Sequence, residues 1–217
     1  MHVGKIVAKL LLAPIRVAAW LGLVRVTISA EVHSLMREGK VLVVSNHPSL
    51  IETFVLRVVL EQVTSKPIWS VADERLFPSM CFESFQCIPV HRGVSLKARK
   101  VNVAAARQQD ALLEESAVVV LYPEGTRTAK ALSHQHAADG RRIGQCHTTL
   151  ARRALDRGAA VVPVWVAHGR SDRPHGYCIG YLKLLFGQAM VVKFGHCFEA
   201  EASESALAVA ILAAGNS

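Results

Sequence analysis

Apolar and polar residues run in blocks along this chain of 217 residues, and the blocks carry two different periods. Residues 41–45, VLVVS, form a short β-branched run of the kind that makes a buried strand. Residues 48–62 follow with helical spacing, because Ile51, Val55, Val58 and Val59 fall on one face. Residues 67–71 and 87–90 read as further strands. Residues 96–115 read as a long helix whose first half is basic. The clearest strand is 117–122, AVVVLY. A helix over 145–157 is expected to stop at Gly158. In the strand 160–166, AVVPVWV, Pro163 implies an edge or irregular position. Residues 191–194 read as the last strand, and 199–214 as an alanine-rich closing helix with acids in its first turns, where the helix dipole favours them. Strands alternating with helices predict a single α/β domain, a mostly parallel mixed sheet flanked by helices. In such sheets ligands collect where strands end. The polar segments after Val44, Val90 and Tyr122 are therefore expected to converge on one edge.

The first thirty residues follow a different pattern. Their longest charge-free run, Val17 to Val24, is eight residues, against about twenty for a membrane-spanning helix. On a continuous helix at about 100° per residue, Lys5, Lys9 and Arg16 share a narrow arc with Trp20 at its edge. Apolar residues fill the rest. A basic stripe, a tryptophan and a broad apolar face describe amphipathic helix lying in a membrane interface. Pro14 is expected to kink it or divide it into two helices. A signal peptide ending at Ala30 and an N-terminal helix packed on its own domain are the competing readings. The chain is thus read as a membrane-associating helical segment over 1–30 and an α/β domain over 31–217. Its expected place is the membrane surface, peripheral or monotopic, on the cytoplasmic face.

Charge sharpens this picture. The net charge is +8, and it is unevenly spread. From Arg92 to Gln109 there are five Lys/Arg and no acid; from Thr128 to Arg173 there are eight Lys/Arg and three Asp. Such surface attracts nucleic acid, anionic lipid or a phosphorylated small molecule. No nucleic-acid-binding motif accompanies it, so a nucleic-acid partner is not expected. The five cysteines form no C-x-x-C pair, which fits reduced thiols in a cytosol-facing protein. His134, His136 and His147 fit no familiar zinc spacing, and no metal is expected.

Three polar segments carry candidate chemistry. In Asn46-His47-Pro48-Ser49-Leu50-Ile51-Glu52, His47 stands at a helix entrance and Glu52 little more than a turn further on. A carboxylate there reaches one imidazole nitrogen, fixes the tautomer and leaves the other as a base. The bland alternative is a helix cap, with Asn46 or Ser49 satisfying helix amides and His47 merely exposed. In Pro89-Val90-His91-Arg92-Gly93, Arg92 is either a phosphate clamp at a strand end or a solvated turn residue. In Tyr122-Pro123-Glu124-Gly125-Thr126-Arg127, glycine permits close backbone approach. The amides of Gly125 and Thr126 suit an anion, and Arg127 adds a bidentate donor. Glu124 holds an arginine or accepts a bond from substrate. A tight turn with a surface arginine is the alternative.

In this order and separation, the segments resemble the glycerolipid acyltransferases typified by bacterial 1-acyl-glycerol-3-phosphate acyltransferase. That family shows N-H-x4-D, a strand-end arginine after an apolar run, F-P-E-G-T-R and an apolar V-P-V. Here NHPSLIE, IPVHRG, YPEGTR and VVPVWV fill the four places, over about residues 40 to 167. The chain departs from the pattern at Glu52, where Asp is usual, at Gln86, where Gly is usual, and at His91, where Asp is frequent. A related group that adds secondary chains to lipid A uses H-x4-E but lacks PEGTR.

The resemblance implies acyl transfer from acyl-CoA or acyl carrier protein, as co-substrate and with no cofactor, to the hydroxyl of a lysophospholipid. The first expectation for the acceptor is 1-acyl-glycerol-3-phosphate, a membrane lipid. His47 and Glu52 are the implied catalytic pair. Arg92, Glu124, Gly125, Thr126 and Arg127 are the implied holders of the acceptor phosphate, and the basic helix from Lys97 to Arg107 faces the donor's CoA phosphates or an acidic carrier protein. Other acceptors stay open: a lyso-amino-acid lipid, a lipid A precursor or a specialised metabolite. So does a catalytically silent relative that binds membrane lipid.

Overall fold

The computed structural model describes residues 2–48, 51–75, 85–126, 128–168, 189–198 and 203–216, with backbone alone at 2–9, 129, 168 and 204. The elements are α1 (His2–Trp20), β1 (Val24–Thr27), α2 (Ala30–Glu38), β2 (Val41–Ser45), α3 (Glu52–Val63), β3 (Ile68–Asp73), β4 (Cys87–Val90), α4 (Leu96–Glu114), β5 (Val118–Leu121), a 3-10 turn (Thr128–Lys130), β6 (His134–His136), β7 (Arg142–Gly144), α5 (Thr149–Asp156), β8 (Ala160–His168), β9 (Met190–Phe194) and α6 (Glu204–Ala214). Seven strands form one sheet in the order β1-β9-β8-β2-β5-β3-β4, and β6-β7 is a separate hairpin. Every pair in the main sheet is parallel except β8 with β9. The expected α/β architecture, a mostly parallel mixed sheet flanked by helices, is therefore what the chain adopts.

Helices on both faces explain the continuous apolar runs, since successive side chains of a strand point to opposite sides and both sides are covered. Val41, Val43, Val118, Val120, Val162 and Val164 pack toward α1, α2 and α3. Leu42, Val44, Val119, Leu121, Val161 and Trp165 pack toward α4, α5 and α6. Side-chain caps fix several helix starts. Ser29, Ser95 and Ser203 accept from Val32, Ala98 and Ala206 respectively. Gly158, at φ +68°, ends the α5 segment as expected.

Four local expectations change. Helix α1 runs through Pro14 without dividing. Leu12, Ile15 and Ala18 are buried in the core it shares with α3, and this packing on both sides of Pro14 outweighs one missing backbone bond. Its other side leaves Leu10, Val17 and Trp20 exposed. The helical segment read over 1–30 ends at Trp20, and Val24–Thr27 is the sheet-edge strand β1. Strand β8 is interior, between β2 and β9, so Pro163 is not on an edge strand. Its carbonyl accepts from Gly195, just past the last β8–β9 ladder pair at Val164 and Phe194. In a strand the N–H and C=O of one residue point the same way, so the N–H that Pro163 lacks falls beyond that ladder. The helix read over 145–157 begins only at Thr149, because the backbone of His147 donates to the Pro123 carbonyl at 2.7 Å instead. Among the described residues no helix is long and apolar enough to cross a membrane.

Beyond Ser45 the ladder between β2 and β8 continues through a side chain. Asn46, 1% exposed, donates from Nδ2 to the Val166 carbonyl at 2.9 Å and accepts from the Val166 N–H at 2.7 Å. It is a sheet clamp, not the helix cap considered from sequence. Asn46→Ala leaves both Val166 groups unpaired in the interior and is expected to cost about 2–3 kcal/mol, read as a lowered urea midpoint at constant slope.

Candidate active site

Strands β2, β5, β3 and β4 run parallel, so the polar segments after β2, β4 and β5 meet at their carboxyl ends, around a cavity of about 1490 Å³. His47 and the Glu124-Gly125-Thr126 turn lie on its wall, as do Arg92 and Asp73.

His47 is held from every side. Its N–H donates to Glu124 Oε1 at 2.8 Å, and its carbonyl accepts from the Thr128 N–H at 2.9 Å. Its ring lies over Tyr122, centroids 4.8 Å apart. Its Nδ1 meets Oε1 of Glu52. Glu52 opens α3, where helix amides favour a carboxylate, and it is fully buried. A carboxylate on Nδ1 selects the tautomer with hydrogen there, leaving Nε2 as the basic nitrogen. The histidine side chain itself is 12% exposed.

Glu124 ties the second segment to the first. Oε1 accepts from His47 N–H and from the Thr128 hydroxyl, and Oε2 accepts from the Gly144 N–H at 2.6 Å. Burial pushes its carboxyl upward, and bonds from Gly144, His47 and Thr128 oppose that. Both oxygens are engaged by the protein itself. Gly125 adopts φ +60°, and a Cβ there would lie 3.3 Å from the His147 ring.

Arg92 stands across the cavity, half-exposed, its Nε 2.9 Å from Asp73 Oδ2 at the end of β3. Asp73 also accepts from the Arg75 side chain. Arg75 first, and Arg92 to a lesser degree, hold its carboxyl down at about 2 despite burial. The backbone of His91 is clamped by Asn102 of α4, which accepts from His91 N–H at 2.8 Å and donates to its carbonyl at 3.0 Å. Gln86 sits at φ +50°, a conformation that favours glycine, and Arg57 holds its side-chain oxygen.

Of the residues read from sequence, His47, Glu52, Glu124, Gly125 and Thr126 come together and Arg92 faces them over the cavity; Arg127 lies outside the described residues. Sequence reasoning passed over Gly144, Thr128 and Asp73, and weighed His147 only as a metal ligand. Gly144 carried no local signal, because its partner is a carboxylate 20 residues away.

A family model described as Acyltransferase matches residues 24–167, from β1 into β8 and across every segment above. The chain belongs to the acyltransferase family. The resemblance read from the four motifs holds at that level. Among solved structures, the crystal structure of the 1-acyl-sn-glycerophosphate (LPA) acyltransferase PlsC from Thermotoga maritima is similar in fold, with a TM-score of 0.52 and 17% identity. The match covers 98% of this chain and 80% of that one. No curated protein matches the chain.

A Cβ at residue 144 would stand 2.7 Å from Glu124 Oε2 and 2.6 Å from the Ala131 Cβ. Gly144→Ala is therefore expected to displace Glu124 and lower stability by about 1–3 kcal/mol. Hydrogen exchange checks it: the His47 amide loses protection in the variant.

Proposed function

We propose that this acyltransferase moves a fatty acyl group from a thioester, acyl-CoA or acyl carrier protein, to the hydroxyl of 1-acyl-glycerol-3-phosphate, giving phosphatidic acid. The observation that carries the reading is His47, backed by the buried Glu52, on the wall of a large cavity also lined by Arg92 and the Glu124-Gly125-Thr126 turn. The activity for which the similar Thermotoga protein is named supports it.

An alcohol is a poor nucleophile at neutral pH until a base takes its proton. Nε2 of His47 takes that proton as the oxygen attacks the thioester carbonyl. Glu52 keeps Nδ1–H directed toward itself and stabilises the imidazolium that forms. When the tetrahedral intermediate collapses, the carbon–sulfur bond breaks and the imidazolium returns its proton to the thiolate. Arg92, the backbone of Gly125 and Thr126, and Arg127 from its sequence position hold the acceptor phosphate and so set its hydroxyl beside His47. Glu124 acts as a positioning residue through its bonds to His47, Thr128 and Gly144. The exposed Leu10, Val17 and Trp20 of α1 rest in the membrane interface, and the lipid acceptor reaches the cavity past Leu11, which lines it.

One observation favours a second reading. Arg92 is already paired with Asp73, which weakens its pull on phosphate and suits an acceptor without one, such as a lyso-amino-acid lipid.

Purified protein with acyl-CoA and 1-acyl-glycerol-3-phosphate, followed by thiol release, tests both readings. His47→Ala is expected to lower kcat by about 10²–10⁴-fold while circular dichroism still shows the folded α/β domain; near-normal turnover removes the base. Arg92→Ala is expected chiefly to raise KM for the phosphorylated acceptor, and an unchanged KM favours the second reading.

A further inference from the structure

Aliphatic side chains left in water are ordinarily scattered singly over a surface. Here Val94 and Leu132 are both fully exposed, and both line the cavity that His47 faces. A side chain that lines a cavity and is fully exposed stands where the cavity opens to water. The two come from separate segments, Val94 between β4 and α4, and Leu132 between the 3-10 turn and β6. Leu96, in the first turn of α4, adds a third exposed aliphatic side chain. It lines a shallow groove that shares Arg99 and Val103 with the cavity, so groove and opening are continuous.

Cations accompany these side chains. Neither 92–109 nor 128–138 contains an acid. Lys97 lies 3.6 Å from Glu74. Arg99, Lys100 and Lys130 are exposed, and among the described residues none of the three has a carboxylate partner. Arg99 and Lys130 line the cavity, and Lys100 lines the groove.

Projecting aliphatic side chains beside unpaired cations match a bilayer with anionic headgroups. The aliphatic groups enter the acyl boundary, and the long basic side chains extend to the lipid phosphates. A folded partner would have to offer a separate pocket to each projecting side chain, whereas a fluid lipid surface takes them where they stand. We propose that Val94, Leu96 and Leu132, with Arg99, Lys100 and Lys130, form a membrane contact that seats the cavity opening on an anionic bilayer. This contact is built from elements other than α1. It goes beyond the acyl-transfer reading and does not depend on it.

Sedimentation of the full chain with vesicles of phosphatidylglycerol and phosphatidylcholine gives its partition coefficient. Val94→Ser/Leu132→Ser is expected to lower that coefficient about tenfold or more, with Tm unchanged because neither side chain packs in the core. Lys100→Ala/Lys130→Ala is expected to lower it about tenfold or more at low salt. That second loss shrinks at high salt, where charges are screened, and the first persists. Helix α1 is intact in both variants, so binding equal to wild type in either one overturns the proposal. A wild type that does not sediment with the vesicles also overturns it. So does a lysine variant that loses binding to an acidic acyl carrier protein while keeping its vesicle binding, because the surface then belongs to a protein partner. Thiol release is measured separately. Absent turnover with vesicle binding that both variants weaken removes the transfer reading alone; turnover with vesicle binding that neither variant weakens removes this contact alone.

Discussion

A carboxylate removed entirely from water must find a partner inside the protein, and Glu52 finds one in Nδ1 of His47. That contact fixes more than one bond. It sets the direction of the imidazole, determines which nitrogen carries hydrogen, and joins the end of β2 to the first turn of α3. The cavity is shaped around it.

The contact is possible because the backbone of His47 is fixed first. Asn46 extends the β2–β8 ladder by one residue, and Glu124 captures the His47 N–H. Glu124 in turn is fixed by Thr128 and by Gly144, whose missing side chain leaves room for the carboxylate. A parallel sheet brings these segments to one edge without any of them being near in sequence.

Much of the fold was legible because its signals are local. Strands β2 and β4 have the bounds that β-branched runs suggested, and Gly158 ends α5 because only a glycine takes φ +68° readily. Residues 47 and 52 were legible as a pair from their spacing, although α3 begins only at Glu52. What local pattern does not carry is the identity of distant partners. Asn46 read as a cap because its neighbours are a helix start, whereas its bonds go 120 residues along the chain. Pro163 read as an edge or irregular position; the strand is interior, and a run of sequence does not reveal where its neighbour β9 stops pairing. Glu124 read as a holder of an arginine or of substrate, and its bonds to His47, Thr128 and Gly144 were not foreseen; Gly144 itself drew no notice. Gln86 stands where the resembled family usually has glycine, and the left-handed backbone there gives the physical reason for that habit.

The most direct measurement of whether Glu52 governs His47 is the tautomer of the neutral imidazole, read from its ring ¹⁵N shifts by NMR in the absence of substrate. The carboxylate contact predicts hydrogen on Nδ1 and a bare Nε2 in wild type, with that preference lost in Glu52→Ala. Hydrogen on Nε2 in wild type, or a pattern unchanged by removing the carboxylate, would contradict it.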